Sequence, residues 1–286
     1  MKQFAFVILH YNTIDDTKAC VESIRKYIKG ASYHIIIVDN CSPNQSGAVL
    51  EEDYKSNEDI TIILNSSNLG FARGNNVGFK YAKDVLHSDY IVLLNSDTEL
   101  LEDNFIELIE REYNISNFAV LGPMIETPKA PYVTQIGRHT LMTRSQCVKS
   151  MFILSWYYLL SLVGLDIGFR KLFVSKKNKD YSSAIHKREE NVQLHGCFLI
   201  FSSLYIEKFD GLNPQTFLYR EEDLLFLRLK KCGLMSVYQP ALRVFHKEQS
   251  ATESLFNSER EKRKFGYKQR IISTFILFQA LADRSM

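Results

Sequence analysis

Short apolar runs and amphipathic stretches alternate through the first 123 residues. Residues 4–9, 35–38, 60–64, 91–94 and 119–121 are apolar and of strand length. Between the first two runs, Ile14, Thr17, Val21, Ile24 and Ile28 recur at three- and four-residue spacing, the pattern of a helix with one buried face. Strand alternating with helix requires crossover connections, and these produce a largely parallel sheet covered by helices. Ligands of such sheets gather at the carboxyl ends of the strands. Asp39 closes the second run and Asp97 follows the fourth, so both carboxylates are expected at one sheet edge. In LLNSDTEL, residues 93–100, the polar cluster suits a turn before a helix over 101–111, and it equally suits a binding site.

The middle of the chain changes character. Residues 150–165, SMFILSWYYLLSLVGL, carry no charge. As a helix this run reaches roughly 24 Å, short of the roughly 30 Å hydrocarbon core of a bilayer. Arg144 and Lys149 precede it, and Arg170, Lys171, Lys176 and Lys177 follow. A buried helix and a helix lying in a membrane interface, with Trp156, Tyr157 and Tyr158 at headgroup level, both satisfy this pattern. Near the end, the basic stretch 260–270 runs into the apolar IISTFILFQALA. A basic segment joined to an apolar helix is typical of membrane-surface elements, so a membrane surface stands among the expected partners.

Bulk composition narrows the choice. A chain of 286 residues holds one large α/β domain or two small ones, and 45% hydrophobic with 24% charged residues is an ordinary globular mix. A net charge of +2 is too small to make nucleic acid the main partner. The cysteines at 20, 41, 147, 197 and 232 are scattered and form no CxxC, which points to a reducing compartment and away from a disulfide framework or a cysteine-built zinc site. The opening MKQFAFVILHYN reads as a strand rather than a signal peptide, so a cytoplasmic location is expected.

Three clusters carry candidate chemistry. In NLGFARGNNVGF, residues 68–79, Gly70, Gly74 and Gly78 recur every four residues, which is neither a dinucleotide fingerprint nor a P-loop. The spacing favours a helix packed closely on the sheet, and the same small residues admit a nucleotide; Asn68 and Arg73 add donors towards a phosphate. Glu221, Glu222 and Asp223 stand directly before an amphipathic helical pattern. The helix dipole accounts for some acid there, yet three adjacent carboxylates repel, and clustered carboxylates raise one another's pKa, which suits a general base. His246 follows the apolar segment 236–244, broken by Pro240; a lone histidine is more often structural than a ligand.

Taken in order, HYN at 10–12, VDN at 38–40, NLGFARGNN, LLNSD, HGCFLIF, FDG, FLYREEDLLFLRLKKCG and VFHKE resemble the family 2 glycosyltransferases, in particular the rhamnosyltransferase-like branch that builds bacterial surface polysaccharides. The resemblance covers residues 3–250. It implies the GT-A fold, an α/β architecture whose mostly parallel central sheet joins a nucleotide-binding half (1–123) to an acceptor-binding half (124–250, with an apolar insertion at 139–185). Residues 251–286 then form a basic, amphipathic helical segment. The implied reaction is inverting transfer from a nucleotide diphosphate sugar, a UDP-sugar or dTDP-rhamnose, to a glycan or lipid-linked acceptor, in the cytoplasm or on the inner face of the cell membrane.

Carried over by position, Asp39 binds the base, while Thr13, Asn68 and Arg73 lie around the nucleotide. LNSD stands where the family has Asp-x-Asp, so Asp97 is the matched metal ligand and His246 completes the site; manganese or magnesium suits these donors, and the imidazole tilts the choice to manganese. Asn95 replaces the first acid of that motif and can hydrogen-bond ribose or hold Asp97. Glu222 is the matched base, second in the acidic pair, with Glu221 and Asp223 beside it. His195 and Gly196 line the donor-sugar and acceptor region. Two other readings stay open. A sugar-1-phosphate nucleotidyltransferase shares the sheet logic but would carry a glycine- and lysine-rich loop where HYNTIDD stands. A non-catalytic, membrane-attached nucleotide-sugar-binding subunit is compatible with the neutral Asn95.

Overall fold

Residues 4–8 lie in the middle of strand β1 (Gln3–His10), and each is fully buried because helices cover both faces of the sheet. That is why the strand reads as an uninterrupted apolar run rather than an alternating one. Its side chains still divide by a period of two. Phe4, Phe6 and Ile8 pack with Val21 and Ile24 of α1 (Ile14–Tyr27), while Ala5 and Val7 pack with Ala72 and Phe79 of α3 (Gly70–Asp84). The computed structural model describes residues 2–128, 130–133, 139–168, 186–248, 256 and 258–283, residues 130–133 by their backbone. Arg170, Lys171, Lys176 and Lys177 lie outside the described residues.

The expected parallel core is present. β2 (Ser32–Asp39), β3 (Ile60–Leu64) and β4 (Tyr90–Asn95) join β1 in the order β3-β2-β1-β4, every neighbouring pair parallel. Helix α2 (Ser46–Tyr54) connects β2 to β3. The glycines of α3 serve packing: a Cβ on Gly78 would stand 2.3 Å from Val7 Cγ1, and one on Gly74 would stand 2.7 Å from Leu9 Cδ1. These distances lie well inside contact, so the helix rests on β1 only without side chains there.

The second half of the sheet is mixed. β9 (Phe198–Ser202) runs antiparallel between β4 and β6 (Val120–Thr127), and β10 (Ser236–His246) lies parallel to β6. The β10 register shifts between Gln239 and Arg243, across Pro240, which has no N–H to give the ladder. β7 (Ala130–Val133) pairs with β6 and the two-residue β8 (Glu189–Glu190) with β10, both antiparallel. The polar stretch after β4 departs from the sequence reading. Thr98–Leu100 form a short strand, β5, antiparallel to β10, with His246 opposite Thr98; the helix α4 begins only at Phe105 and runs to Ser116. Thr98 and Leu100 point inward while Glu99 is half-exposed, an alternation that a three-residue edge strand satisfies.

A third packing cluster ties the helices of the second half together. Cys147 of α5 (Arg144–Val163) meets Leu224 and Leu227 of α7 (Glu221–Lys231) and Leu277 and Ala280 of α8 (Glu259–Ala280). The short α6 (Ser203–Ile206) follows β9. A capping box at Thr143 and Gln146 starts α5 and a left-handed Gly164 ends it. At 20 residues the helix exceeds the apolar run that nucleates it, and among the described residues it is the one helix long and apolar enough to cross a membrane by length and composition. It lies along α8, stacking Tyr157 on Tyr267 at 5.9 Å.

Candidate active site

A cleft of about 620 Å³ opens at the carboxyl end of the parallel strands. Tyr11, Asn40 and Asn68, from the loops after β1, β2 and β3, form one part of its wall. Asn95 and Asp97 follow from β4, beside His246 at the end of β10. Pairing of β5 with β10 brings these last residues together: the Lys247 N–H donates to the Asp97 carbonyl at 3.0 Å, and His246 Nε2 stands 3.1 Å from Asp97 Oδ1. The Asn95 amide lies 3.5 Å from the same imidazole nitrogen. Both Asp97 and His246 are largely buried, so their contact is little screened by water.

Behind this pair, the loops after β2 and β3 are fixed by an amide network. Asn40 donates to Asn68 Oδ1 at 3.0 Å and accepts the Leu69 N–H at 3.0 Å, while Asn68 Oδ1 also accepts the Gly70 N–H at 2.9 Å. Gly70 has φ +78°, and a Cβ there would stand 2.3 Å from the Phe217 carbonyl, so only glycine allows the NLGF turn to close against the second half of the chain. Asp39 ends β2 as expected but does not line the cleft; its carboxylate accepts the Ser42 N–H and hydroxyl and lies 3.9 Å from His10 Nε2. A Cβ on Gly47 would stand 2.4 Å from that carboxylate, so glycine leaves it room. Thr13 lies at the start of α1 with its hydroxyl 3.2 Å from Ser96 Oγ. Arg73 is exposed and donates to the Pro214 carbonyl at 2.8 Å, away from the cleft lining.

The three adjacent acids meet three different environments. Tyr219 and Arg220 both hold left-handed φ angles, +73° and +70°, which turn the chain sharply into α7. Asp223 is buried and paired with Arg220 at 3.1 Å. Glu221 is also buried, its Oε1 has no hydrogen-bond partner among the described residues, and burial first, then the charge of Glu222, pushes its carboxyl up to about 7. Glu222 reaches the other way: its Oε1 accepts the Gly196 N–H at 3.2 Å, next to His195, which lines the cleft. His195 in turn accepts the Cys197 N–H through Nδ1 at 3.1 Å, and its ring lies 6.1 Å from that of His246.

The Glu221 environment has a consequence for stability. The native state holds a proton that the unfolded chain releases above about pH 4.5, so this group's contribution is fully present below that pH and is lost as the pH rises through about 7. Glu221→Gln is therefore expected to be more stable than the wild type above pH 7 and to show a flatter fall between the two values. Urea midpoints measured across this range check it; parallel curves for the two proteins would contradict it.

Several wall residues carry no sequence signal of their own. Phe217, Leu218, Phe265 and Arg270 complete the cleft, the last two from α8. Composition marks that helix as basic and apolar, and only its packing against the 217–220 turn reveals that it reaches the site.

The four parallel strands, continued by a mixed second half, form the central sheet at whose edge the cleft opens. The family described as glycosyl transferase family 2 matches residues 5–157, more than half of the chain, and the chain belongs to that family. Its fold is the GT-A fold. The crystal structure of S. aureus TarS residues 1–349 superposes with a TM-score of 0.55 at 13% identity, covering 96% of this chain and 71% of that one. The same TarS segment in complex with UDP-GlcNAc gives 0.56 at 12% identity, covering 94% and 72%. At such identities the likeness is one of fold. The low-salt glycan biosynthesis hexosyltransferase Agl10 of Haloferax volcanii is 26% identical over 125 residues, 44% of this chain and 37% of that protein. An uncharacterized glycosyltransferase of Haemophilus influenzae is 27% identical over 115 residues, 39% and 36%. The matched stretch thus spans little more than a third of either curated relative.

Proposed function

We propose that the protein is an inverting glycosyltransferase that moves a sugar from a nucleoside diphosphate sugar to a glycan or lipid-linked acceptor. The observation that carries this reading is the meeting of Asp97 and His246 at 3.1 Å in a cleft wall shared with His195, whose neighbour Gly196 donates its N–H to Glu222. UDP-sugars head the donor classes, because the TarS neighbour is described with UDP and with UDP-GlcNAc, and dTDP-rhamnose follows through the rhamnosyltransferase-like motif order. The name of the Haloferax relative, a glycan biosynthesis hexosyltransferase, supports a glycan acceptor.

The donor set suits a divalent cation shared with substrate. Among the described residues no group of three His, Cys, Asp or Glu side chains stands ready to enclose an ion. One carboxylate and one imidazole are enough where phosphate oxygens and water complete the shell, as hard cations prefer, so Asp97 and His246 fit manganese or magnesium. When bound, the ion supplies Lewis-acid stabilisation of the charge that develops on the departing diphosphate. The protein's own groups do the rest. Tyr11, Asn40 and Asn68 bound the nucleoside side, and Asn95 positions the Asp97–His246 pair. Glu222 takes the acceptor hydroxyl's proton: the Gly196 N–H fixes one of its oxygens, and the other receives the proton as the hydroxyl attacks the anomeric carbon from the face opposite the diphosphate. Neither neighbour suits that task, since Asp223 is paired with Arg220 and Glu221 is enclosed.

Incubation with a panel of nucleotide sugars, with and without manganese, tests the reading by release of nucleoside diphosphate. Release of pyrophosphate instead would identify a nucleotidyltransferase, and donor binding without turnover would identify a binding subunit.

A membrane surface belongs to the same proposal. Val148, Phe152, Trp156, Leu159 and Val163 recur every three or four residues on α5, and Phe152 is 79% exposed. Arg144 and Lys149 lie on α5 itself, and α8, which packs along it, carries Lys264 and Lys268, cations that complement an anionic bilayer. Intact protein is expected to float with liposomes containing anionic lipid at low salt, and the double variant Phe152→Ser, Trp156→Ser to remain at the bottom of the gradient. Equal flotation of the two would contradict a lipid-facing α5.

A further inference from the structure

Among the described residues, Arg270 is the one lysine or arginine on the cleft wall, where the acids Asp97 and Glu248 also lie. Arg73, the cation that the sequence offers near the phosphates, is turned away to the Pro214 carbonyl. Arg270 makes no ion pair among the described residues; its guanidinium lies over the Tyr219 ring, 4.5 Å from the centroid. Stacking of this kind leaves the edge of the guanidinium, with its five N–H donors, available for a planar or tetrahedral oxyanion.

The scaffold around Arg270 fixes its place. One and two turns earlier on α8, Tyr267 and Arg263 hold Asp166 at 3.3 and 2.7 Å, which locks the helix to the segment following α5. One turn later, Ser273 donates to the Leu218 carbonyl at 2.8 Å and Thr274 accepts from Arg220 Nε at 3.3 Å. Both of those contacts grip the left-handed turn at Tyr219 and Arg220 that leads into Glu221 and Glu222. Arg270 therefore stands on a rigid element between the turn that sets the acids and the open cleft. A cation that makes no ion pair among the described residues, set beside an open cleft, is a place for a doubly charged anion, and the proposed reaction brings such groups: the donor's diphosphate, and the diphosphate of a lipid-linked acceptor.

Resting on the glycosyltransferase reading, we propose that Arg270 binds a substrate diphosphate, so that the C-terminal helix takes part directly in substrate recognition. The helix that lies along the apolar α5 thereby also supplies the cleft's cation. A charge-assisted contact of this kind is worth roughly a ten- to a hundredfold change in affinity.

Four probes measure it by calorimetry on the full chain: UDP against uridine, and farnesyl diphosphate against farnesol. Arg270→Gln is expected to weaken a diphosphate probe roughly ten- to a hundredfold while leaving its phosphate-free counterpart unchanged. Arg270→Lys, which keeps the charge and loses the fork, is expected to fall between. Loss in the UDP pair assigns the contact to the donor, and loss in the farnesyl pair to the acceptor. A purely structural role would weaken both members of a pair alike and would overturn the inference, as would affinities for both diphosphates equal to those of the wild type. If the wild type binds none of the four, the glycosyltransferase reading falls and this inference with it, whereas wild-type binding with unchanged ratios removes the Arg270 role alone.

Discussion

Asp97→Ala is expected to abolish nucleotide-sugar turnover, with Asn95→Ala only lowering it. Among the described residues Asp97 is the one carboxylate paired with His246, and its removal leaves only the imidazole of the proposed ion-binding pair. Lewis-acid stabilisation of a leaving diphosphate is worth several kcal/mol, so the loss should reach roughly a thousandfold or more. Asn95 touches the same imidazole at 3.5 Å through a neutral amide, and its loss loosens the pair without emptying it. Release of nucleoside diphosphate across a manganese titration measures both effects. Full wild-type activity in excess chelator would remove the metal from the mechanism, and full activity of Asp97→Ala would remove the residue.

The second large effect belongs to Glu222. Glu222→Gln keeps the side-chain shape and the hydrogen bond from Gly196 but abolishes basicity, so donor affinity should survive while transfer falls roughly a hundred- to ten-thousandfold. Its neighbours provide the contrast. Asp223→Asn breaks the buried pair with Arg220 and should act first on stability, because Arg220 is then left without its partner. Glu221→Gln removes a buried carboxylate whose Oε1 has no partner among the described residues and should leave transfer far less affected. Wild-type transfer by Glu222→Gln, with loss in one of the other two, would assign the base to that residue.

How much of this was legible in the sequence follows from the range of the interactions concerned. The four parallel strands and α1 were readable because a strand buried on both faces and a helix buried on one leave local apolar patterns. The glycine spacing in α3 was readable as close packing, and Gly74 and Gly78 do abut Leu9 and Val7. The short strand at Thr98 was not, because three residues carry no period and its existence depends on β10, far along the chain. The Asp97–His246 contact rests on that same pairing; family resemblance joined the two residues, whereas local pattern left each alone. Arg73 shows the converse. Its residue type and place in the motif suggest a phosphate ligand, but the carbonyl it meets comes from the loop at Pro214, which spacing along the chain does not reveal. The helix at 144–163 was legible as an apolar run, yet its full length follows from a capping box lying outside that run.

Proton NMR of a transfer reaction, followed from mixing with a nucleotide sugar that the protein turns over, tests the central claim most directly. The anomeric coupling of the first product formed should be opposite in configuration to that of the donor, and its appearance should depend on Asp97 and Glu222 together. A product that retains the donor configuration, or one formed at the wild-type rate by Glu222→Gln, would contradict direct displacement by an acceptor activated at that carboxylate.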